Sequence, residues 1–175
     1  MLKKVMAKTG IEPERLRLEW IAASEGERFA ETIRSFTKNI RALGPNPVSG
    51  EKPDMKLMEA LYAARNAVED FRLRTLVGKE MTLIEKGNAY GEKIPQDRLD
   101  ELLEDAIEEE LARTRILLLI KDNPQSVKEL AAKMNAPSRN VLKHIVTLKD
   151  RNLIKLHGIE GTTPRYIAQL QEVEA

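Results

Sequence analysis

The chain has 175 residues, of which 42% are hydrophobic, and its 29 basic and 28 acidic residues give a formal net charge of +1. This length allows one ordinary domain or two small ones. The absence of cysteine excludes a disulfide framework, a zinc finger and a thiol nucleophile. No apolar run approaches the ~20 residues of a membrane helix. Residues 1–9 lack the apolar core of a secretory signal, so we expect a cytoplasmic protein.

A strand is predicted after the first helix of the chain. Gly10 ends that helix, and after a proline-containing turn Leu16, Leu18 and Trp20 alternate with polar residues. The polar positions are Arg15, Arg17 and Glu19. An alternation of this kind is typical of a strand with one buried face.

A second helix is predicted to follow. Ser24 and Glu27 have the spacing of a capping box, in which each side chain binds a free backbone N–H at the start of a helix. Gly44 and Pro45 end this helix. Its apolar residues recur at helical spacing and form one stripe. The stripe consists of Phe29, Ile33, Phe36, Ile40 and Leu43.

These residues resemble the delta subunit of methyl-viologen-reducing hydrogenase. The resemblance is carried by GIEPERLRLEW from Gly10 to Trp20, by Ser24–Glu25–Gly26, by Phe29–Ala30 and by Leu43–Gly44–Pro45. A second block, from Ala64 to Glu92, is similar to the extended C-terminal part of some members. The resemblance implies an iron–sulfur subunit that connects an electron source to heterodisulfide reductase. The cluster-binding cysteines of the family are expected upstream, and a chain without cysteine does not hold that cluster through thiolates.

The predicted strand has no neighbouring strand in the sequence with which to pair its backbone. We hypothesise that Arg15 to Ile21 completes a sheet supplied by another polypeptide, or by a second copy of this one. The competing interpretation is an irregular crossing between two helices. Under the first hypothesis, the residues predicted to bind the partner are Leu16, Arg17, Leu18 and Trp20.

The middle of the chain is predicted to be helical. Residues 44–53 are rich in proline and glycine and indicate a linker, after which Asp54 caps a helix. The apolar stripe of that helix consists of Leu57, Leu61, Ala64, Val68 and Phe71. Helical character continues past Gly78 to about Lys86, and residues 87–95 form a second break.

A long helix is predicted from about Gln96 to Lys121. Its first part, residues 97–110, carries eight acidic residues and one arginine, Arg98. Apolar residues still recur there at helical spacing, at Leu99, Leu102, Leu103, Ala106 and Ile107. This pattern favours a helix with a solvated acidic face over a metal site.

The C-terminal third has the element order of a winged helix-turn-helix. After the break at residues 122–124, Ser126 and Glu129 predict a capping box for a short helix. Ser138 begins the next helix, whose predicted inward residues are Val141, Leu142, Ile145 and Leu148. Strands are predicted at Leu153–His157 and Arg165–Ala168. The stretch resembles winged-helix domains of bacterial and archaeal regulators.

In a DNA-binding winged helix, the outward residues of the third helix enter the major groove. The candidates here are Arg139, Asn140, Lys143 and His144. Arg and Asn can make bidentate contacts to bases. Against DNA binding, the excess of positive charge over residues 122–170 is small, and duplex affinity depends on neutralising phosphates. An ordinary polar face, or a face that docks a protein, remains the other interpretation.

We therefore predict a mostly α protein with a small β component. An N-terminal α-β-α segment covers residues 1–47, a helical connector residues 48–107, and a winged-helix domain residues 108–170. His144 and His157 lie on different elements and lack a metal-binding spacing. We assign no catalytic, cofactor-binding or metal-binding residue, and we expect no enzymatic activity from this chain alone.

Two functional hypotheses follow. In the first, the chain is an accessory subunit of a heterodisulfide-reductase-like or hydrogenase-like electron-transfer complex. The resemblance then implies contact with a heterodisulfide-reductase-like A subunit or with hydrogenase subunits, and places FAD and iron–sulfur clusters in those partners. In the second, the chain is a winged-helix transcriptional regulator that binds DNA. A homo-oligomer is compatible with both hypotheses, and no membrane association is expected.

Overall fold

The computed structural model describes residues 1–49 and 54–169, and it divides the chain into two compact units, Met1–Ala64 and Arg65–Ala175. The fold is mostly helical with one small antiparallel sheet, as the sequence predicted. The helices are α1 (Leu2–Thr9), a short 3₁₀ helix (Pro13–Arg15), α2 (Gly26–Leu43), α3 (Met55–Glu69), α4 (Phe71–Glu85), α5 (Gln96–Leu119), α6 (Val127–Met134) and α7 (Ser138–Asp150). The strands are β1 (Gln125–Ser126), β2 (Ile154–Glu160) and β3 (Thr163–Ala168). In the described part of the chain, no helix is long and apolar enough to cross a membrane.

The first helix ends as predicted, but the strand predicted after it is absent. Gly10 adopts a left-handed conformation with φ of 85°, which a glycine accommodates without strain. Residues 16–22 then run without regular secondary structure and pair with no strand in the described residues. The N-terminal segment is therefore helix, irregular segment, helix. The strand does not form because a strand needs a neighbouring strand to pair its backbone N–H and C=O groups, and the described residues provide none here.

The start of α2 also differs from the prediction. The helix begins at Gly26, and no side chain caps it, so the capping box expected between Ser24 and Glu27 is absent. Instead, the carboxylate of Glu25 accepts a hydrogen bond from the backbone N–H of Ala22 at 2.8 Å. The same carboxylate pairs with Arg28 at 3.1 Å. These contacts organise the turn one residue after the predicted cap.

The helix predicted from Asp54 onwards is divided into α3 and α4. Asp54 caps α3 as expected, because its carboxylate accepts the backbone N–H groups of Lys56 and Leu57. At the division, the carboxylate of Asp70 accepts the backbone N–H of Arg72 and starts a new helix. Phe71 is consequently 83% exposed and does not continue the apolar stripe.

The break predicted at residues 87–95 is an ordered loop. The side-chain oxygen of Asn88 accepts the backbone N–H groups of Tyr90 and Glu92, and the backbone N–H of Asn88 donates to the carbonyl of Glu92. Gly87 has a φ of 93°, and a Cβ atom there would lie 2.8 Å from the backbone of Glu92. The close return of the chain thus requires glycine at this position. Tyr90 is exposed at the tip of the loop.

The sheet lies at the C-terminal end of the described chain, with the strand order β1-β3-β2 and antiparallel pairing throughout. Ser126 pairs with Arg165, and Leu156 pairs with Tyr166. The register shifts between Leu156 and Gly158, and Gly161 with a φ of 60° closes the hairpin. Ser126 also forms the predicted capping box with Glu129 at the start of α6.

A hydrophobic core joins the end of α5 to α6, α7 and β2. Its buried residues are Ile116, Ile120, Leu130, Ala131, Val141, Ile145, Leu148 and Ile154. Leu142 was expected among them but is 47% exposed, since it lies beside the face of α7 that Val141, Ile145 and Leu148 bury. The elements follow the order predicted for a winged helix, and the winged-helix assignment and the three-part division of the chain stay predictions.

Candidate functional site

Arg15 ties the irregular segment of the N-terminal unit to the end of α2. Its guanidinium donates to the backbone carbonyls of Leu43 at 3.1 Å, Gly44 at 3.1 Å and Pro45 at 3.2 Å. It also pairs with Glu12 at 2.8 Å. The last carbonyls of a helix lack partners within the helix, and Arg15 supplies donors to them. The sequence placed Arg15 on the polar side of a strand and gave no sign of this role.

Two further contacts hold the irregular segment beside α2. Arg17 donates to the hydroxyl of Ser35 at 3.3 Å, and Arg28 of α2 lies 3.9 Å from Glu19. Together with the Arg15 contacts, they show that the segment runs antiparallel to the helix. Arg17 also pairs with Glu19 at 3.1 Å. Polar side chains therefore bind the segment to α2.

Four large apolar side chains of this unit are left facing solvent. Leu18 is 75% exposed and Trp20 is 84% exposed. On α2, Phe29 is 56% exposed and Ile33 is 47% exposed, and the helix contains no buried residue. We call these four residues the N-terminal apolar surface. Contiguous patches of exposed apolar side chains are typical of interaction sites, so these residues are candidates for an interface.

The four residues predicted to bind a partner have different surroundings within this segment. Leu16 is partly buried, whereas Arg17, Leu18 and Trp20 are exposed. The backbone from Arg17 to Ile21 forms no backbone–backbone hydrogen bond in the described chain. Its N–H and C=O groups are therefore available to another polypeptide. The assignment of these residues to an interface stays a prediction.

The four candidates for DNA binding lie on two sides of α7. Arg139 points into solvent, whereas Asn140, Lys143 and His144 line a cavity of about 500 Å³. The opposite wall of that cavity belongs to α5 and carries three carboxylates, and its remaining lining is apolar. The carboxylates are those of Asp105, Glu108 and Glu109. Three of the four candidates thus share a cavity with acidic groups, which repel phosphate, and two of them, Asn140 and Lys143, are also exposed to solvent.

The surroundings of His144 disfavour its protonated form. Burial lowers the pKa of His144 below its ordinary value, and the neighbouring charge of Arg113 adds to this effect. Glu109 and Glu110 act in the opposite direction without reversing it. The Nδ1 atom of His144 is buried and has no hydrogen-bond partner in the described chain.

A network of charged side chains, with Glu110 and Arg113 buried at its centre, lies where α4, α5 and α7 meet. Glu110, whose side chain is 3% exposed, accepts two hydrogen bonds of 3.1 Å from Arg151 and also pairs with Arg113. Arg151 reaches Asp70 at 3.1 Å, and Arg72 pairs with Glu109. The acidic and basic groups alternate and balance each other. We call these residues the Glu110 network.

The pKa values within the Glu110 network follow from these pairs. The hydrogen bond from Arg151 to Glu110 raises the pKa of Arg151, against a smaller effect of burial. Burial raises the pKa of Glu109, but Arg72 and Arg113 outweigh it and lower the net value. The sequence prediction of a solvated acidic face missed Glu110. Its spacing from Ile107 and Thr114 on the buried side of α5 is the signal that could have revealed it.

The side chains do not fit an iron–sulfur cluster. The chain has no cysteine, and no group of three or more His, Asp or Glu side chains in residues 1–49 and 54–169 could hold a metal ion. Thiolates are the usual ligands of such clusters. The geometry instead defines a small helical protein with an exposed apolar surface in one unit and a buried charge network in the other.

The sequence relatives point to electron-transfer complexes. Residues 1–44 match the family model FlpD, described as the delta subunit of methyl-viologen-reducing hydrogenase, which confirms the resemblance seen in the sequence. Over 45 residues, the chain is 56% identical to the iron-sulfur D subunit of the F420-non-reducing hydrogenase of Archaeoglobus profundus. This match covers 26% of the chain and 33% of the relative.

A different kind of relative matches over the same length. The A subunit of the ferredoxin/F(420)H(2)-dependent CoB-CoM heterodisulfide reductase of Methanosarcina acetivorans is 49% identical over 45 residues. This match covers 26% of the chain and 6% of the relative. The A subunit of the ferredoxin:CoB-CoM heterodisulfide reductase of Methanosarcina mazei is 47% identical over an equal length. The chain therefore spans a third or less of these relatives. No solved structure matches it significantly.

Proposed function

We propose that this chain is a non-catalytic accessory subunit of a heterodisulfide-reductase-like or hydrogenase-like electron-transfer complex. One observation carries the proposal. A match of 45 residues covers a third of a separate hydrogenase subunit in one relative, and a match of equal length covers 6% of a heterodisulfide reductase A subunit in another. A segment that occurs in both settings is suited to packing against the same kind of protein surface, either within one chain or between two chains.

The docking element in this proposal is the irregular segment with its neighbouring helix. Leu18 and Trp20 would be covered by an apolar surface of the partner, which removes their area from water. Leu16 and Arg17 flank them on the same segment. The unpaired backbone of Arg17 to Ile21 would add to an open sheet edge of the partner, a common mode of peptide recognition.

The proposal assigns the redox groups to the partner. A chain without cysteine supplies no thiolate, so the FAD and the iron–sulfur clusters belong to the flavin- and iron–sulfur-containing protein on which it docks. We further propose that the complex is cytoplasmic. The described residues of this chain would then contribute binding surface and no redox chemistry.

The proposal is tested by co-purification of the tagged full chain with the heterodisulfide reductase and hydrogenase subunits of its native organism. Trp20→Ala and Leu18→Pro should each abolish co-purification, because the first removes the largest apolar contact and the second removes a backbone donor. Arg17→Glu should weaken it while leaving the backbone unchanged. Tyr90→Ala is the matched control, since Tyr90 is 89% exposed in the other unit.

Two results would contradict the proposal. One is the absence of any heterodisulfide reductase or hydrogenase subunit from the material purified with the unmodified chain. The other is undiminished co-purification of all three N-terminal variants. Circular dichroism of each variant shows whether its helices have formed, which separates loss of the interface from loss of folding.

The element order agrees with the regulator hypothesis, but the surroundings of the DNA-binding candidates on α7 do not favour it. Asn140, Lys143 and His144 face carboxylates of α5, and the outward side of α7 is apolar at its centre, with Leu142 47% exposed and Val146 51% exposed. We therefore do not propose DNA binding as a second function, and a DNA-binding arm is included in the experiment that follows.

A further inference from the structure

The outward side of α7 carries a stripe with an ordered sequence of charge. Arg139, Leu142, Val146 and Asp150 follow one another at intervals of three, four and four residues, so they lie along one side of the helix. All four are exposed. The stripe therefore begins with a positive charge, continues with two apolar side chains and ends with a negative charge. We call it the α7 stripe.

Both charges of the α7 stripe oppose the dipole of their own helix. Arg139 lies in the first turn of α7, where the free N–H groups carry partial positive charge, and Asp150 is the last residue, beside the free carbonyls. Neither side chain has an ion-pair partner in the described chain. The interaction of these charges with the helix dipole is unfavourable in an isolated helix. A partner helix running in the opposite direction would make the interaction of the same charges with its own dipole favourable.

We propose that the α7 stripe binds the α7 stripe of a second copy of this chain in antiparallel orientation. Arg139 and Asp150 lie equally far from the midpoint between His144 and Ile145. A two-fold axis at that midpoint places Arg139 beside Asp150 of the second copy, and Asp150 beside Arg139 of the second copy. Such an interface is self-complementary, as two-fold symmetry requires.

The helix dipoles add to the same pairing. In the antiparallel arrangement, each Arg139 lies next to the carbonyl end of the opposite helix, and each Asp150 lies next to its N–H end. Both charges that are unfavourable within one copy thereby become favourable between two copies. Leu142 and Val146 meet their counterparts across the axis and lose their exposure to water.

The size of the interface sets its strength. A helix of 13 residues is about 20 Å long. A single pair of such helices falls at the small end of specific interfaces, below about 1,200 Å² of total buried area. We therefore expect a reversible dimer that forms at concentrations on the order of 10 μM or above.

This inference is independent of the proposed function, because α7 lies in a different unit from the N-terminal apolar surface. It also excludes major-groove binding by the dimer, since the helix pair covers the side of α7 that would enter the groove. A protein partner of another kind and a DNA duplex are thus competing occupants of the same stripe.

The test is a reciprocal charge exchange on the full chain, followed by sedimentation equilibrium from about 1 to 200 μM, a range that brackets the expected affinity. Arg139→Asp and Asp150→Arg should each raise the dissociation constant of the dimer about tenfold, because each creates two like-charge pairs across the axis. The double variant, carrying both substitutions, should dimerise more tightly than either single variant, because both opposite-charge pairs across the axis are restored while the contribution of the helix dipoles is not. Arg74→Asp, an equal charge reversal at an exposed position of α4, should leave dimerisation unchanged.

Each remaining outcome overturns the inference. It is wrong if the unmodified chain is monomeric throughout this range, or if it dimerises equally with either single substitution. It is also wrong if both single variants lose the dimer and the double variant does not regain it. A labelled DNA duplex is added in a last measurement. If the monomer binds the duplex saturably and Arg139→Asp abolishes this binding, the α7 stripe binds DNA instead of a second copy.

Discussion

The two units of this protein both contain helices with an apolar stripe, but the stripe is exposed in one unit and buried in the other. In the N-terminal unit, the amphipathic helix α2 extends over 18 residues and buries none of them. In the C-terminal unit, α5, α6 and α7 bury a core and enclose a charged group, Glu110. An apolar stripe indicates which side of a helix avoids water. It does not indicate whether the covering surface belongs to the same chain, and that difference separates a folded core from a candidate interface.

The Glu110 network offers the strongest test of this comparison. Glu110→Ala should lower the free energy of unfolding by about 3 to 5 kcal/mol, because it leaves the buried side chain of Arg113 without its principal partner. Urea denaturation followed by far-ultraviolet circular dichroism measures this change. Glu101→Ala is the control, since Glu101 pairs with Arg98 at 2.7 Å on the surface and should contribute less than about 1 kcal/mol. Equal losses in the two variants would refute the interior role of Glu110.

A matched pair of isoleucines compares the units directly. Ile145 in α7 is 1% exposed and Ile33 in α2 is 47% exposed. Ile145→Ala should lower the free energy of unfolding by about 2 to 5 kcal/mol through lost burial and a residual cavity. Ile33→Ala should change it by less than about 0.5 kcal/mol in the isolated chain. Urea denaturation of both variants gives the comparison, and a large loss in Ile33→Ala would show that α2 is packed within this chain.

The smallest expected effect is a change in pH dependence. Because burial and Arg113 lower the pKa of His144 below 6.5, the unfolded chain binds a proton at this residue before the folded chain does. The contribution of neutral His144 to the free energy of unfolding is therefore complete above pH 6.5. It declines as the pH falls from 6.5 toward the folded-state pKa. Comparing urea midpoints at about pH 7.5 and 5.5, His144→Gln should reduce the decline. His157→Gln, at an exposed position of β2, should retain the full decline, and identical slopes in all three proteins would contradict the prediction.

Local signals in the sequence were sufficient for most helix boundaries. Gly10, Asp54 and Ser126 act through their own backbone conformation or through N–H groups within three residues, so their effects can be read from a short stretch. These features depend on neighbours in the chain, and for that reason the sequence predicted them.

Features that depend on distant residues were missed. Arg15 binds carbonyls that lie 28 to 30 positions further along the chain, and Arg151 binds Asp70 across 81 positions. Nothing in the spacing of single residues selects these partners. The strand predicted at Arg15 to Ile21 failed for a related reason, because alternation specifies two faces but does not supply a neighbouring strand. The candidate interface on this segment was inferred from the same missing neighbour.

The Glu110 network also has a consequence for the order in which the chain folds. Its contacts to Arg151 close a loop of 41 residues, whereas the capping box of Ser126 and Glu129 spans three. Long loops close late, since their entropy is lost before their contacts form. We therefore place the network after the rate-limiting step of folding. Interactions that are absent from the transition state act mainly on the unfolding rate, so we expect Glu110→Ala to speed unfolding and to leave the folding rate almost unchanged in stopped-flow measurements.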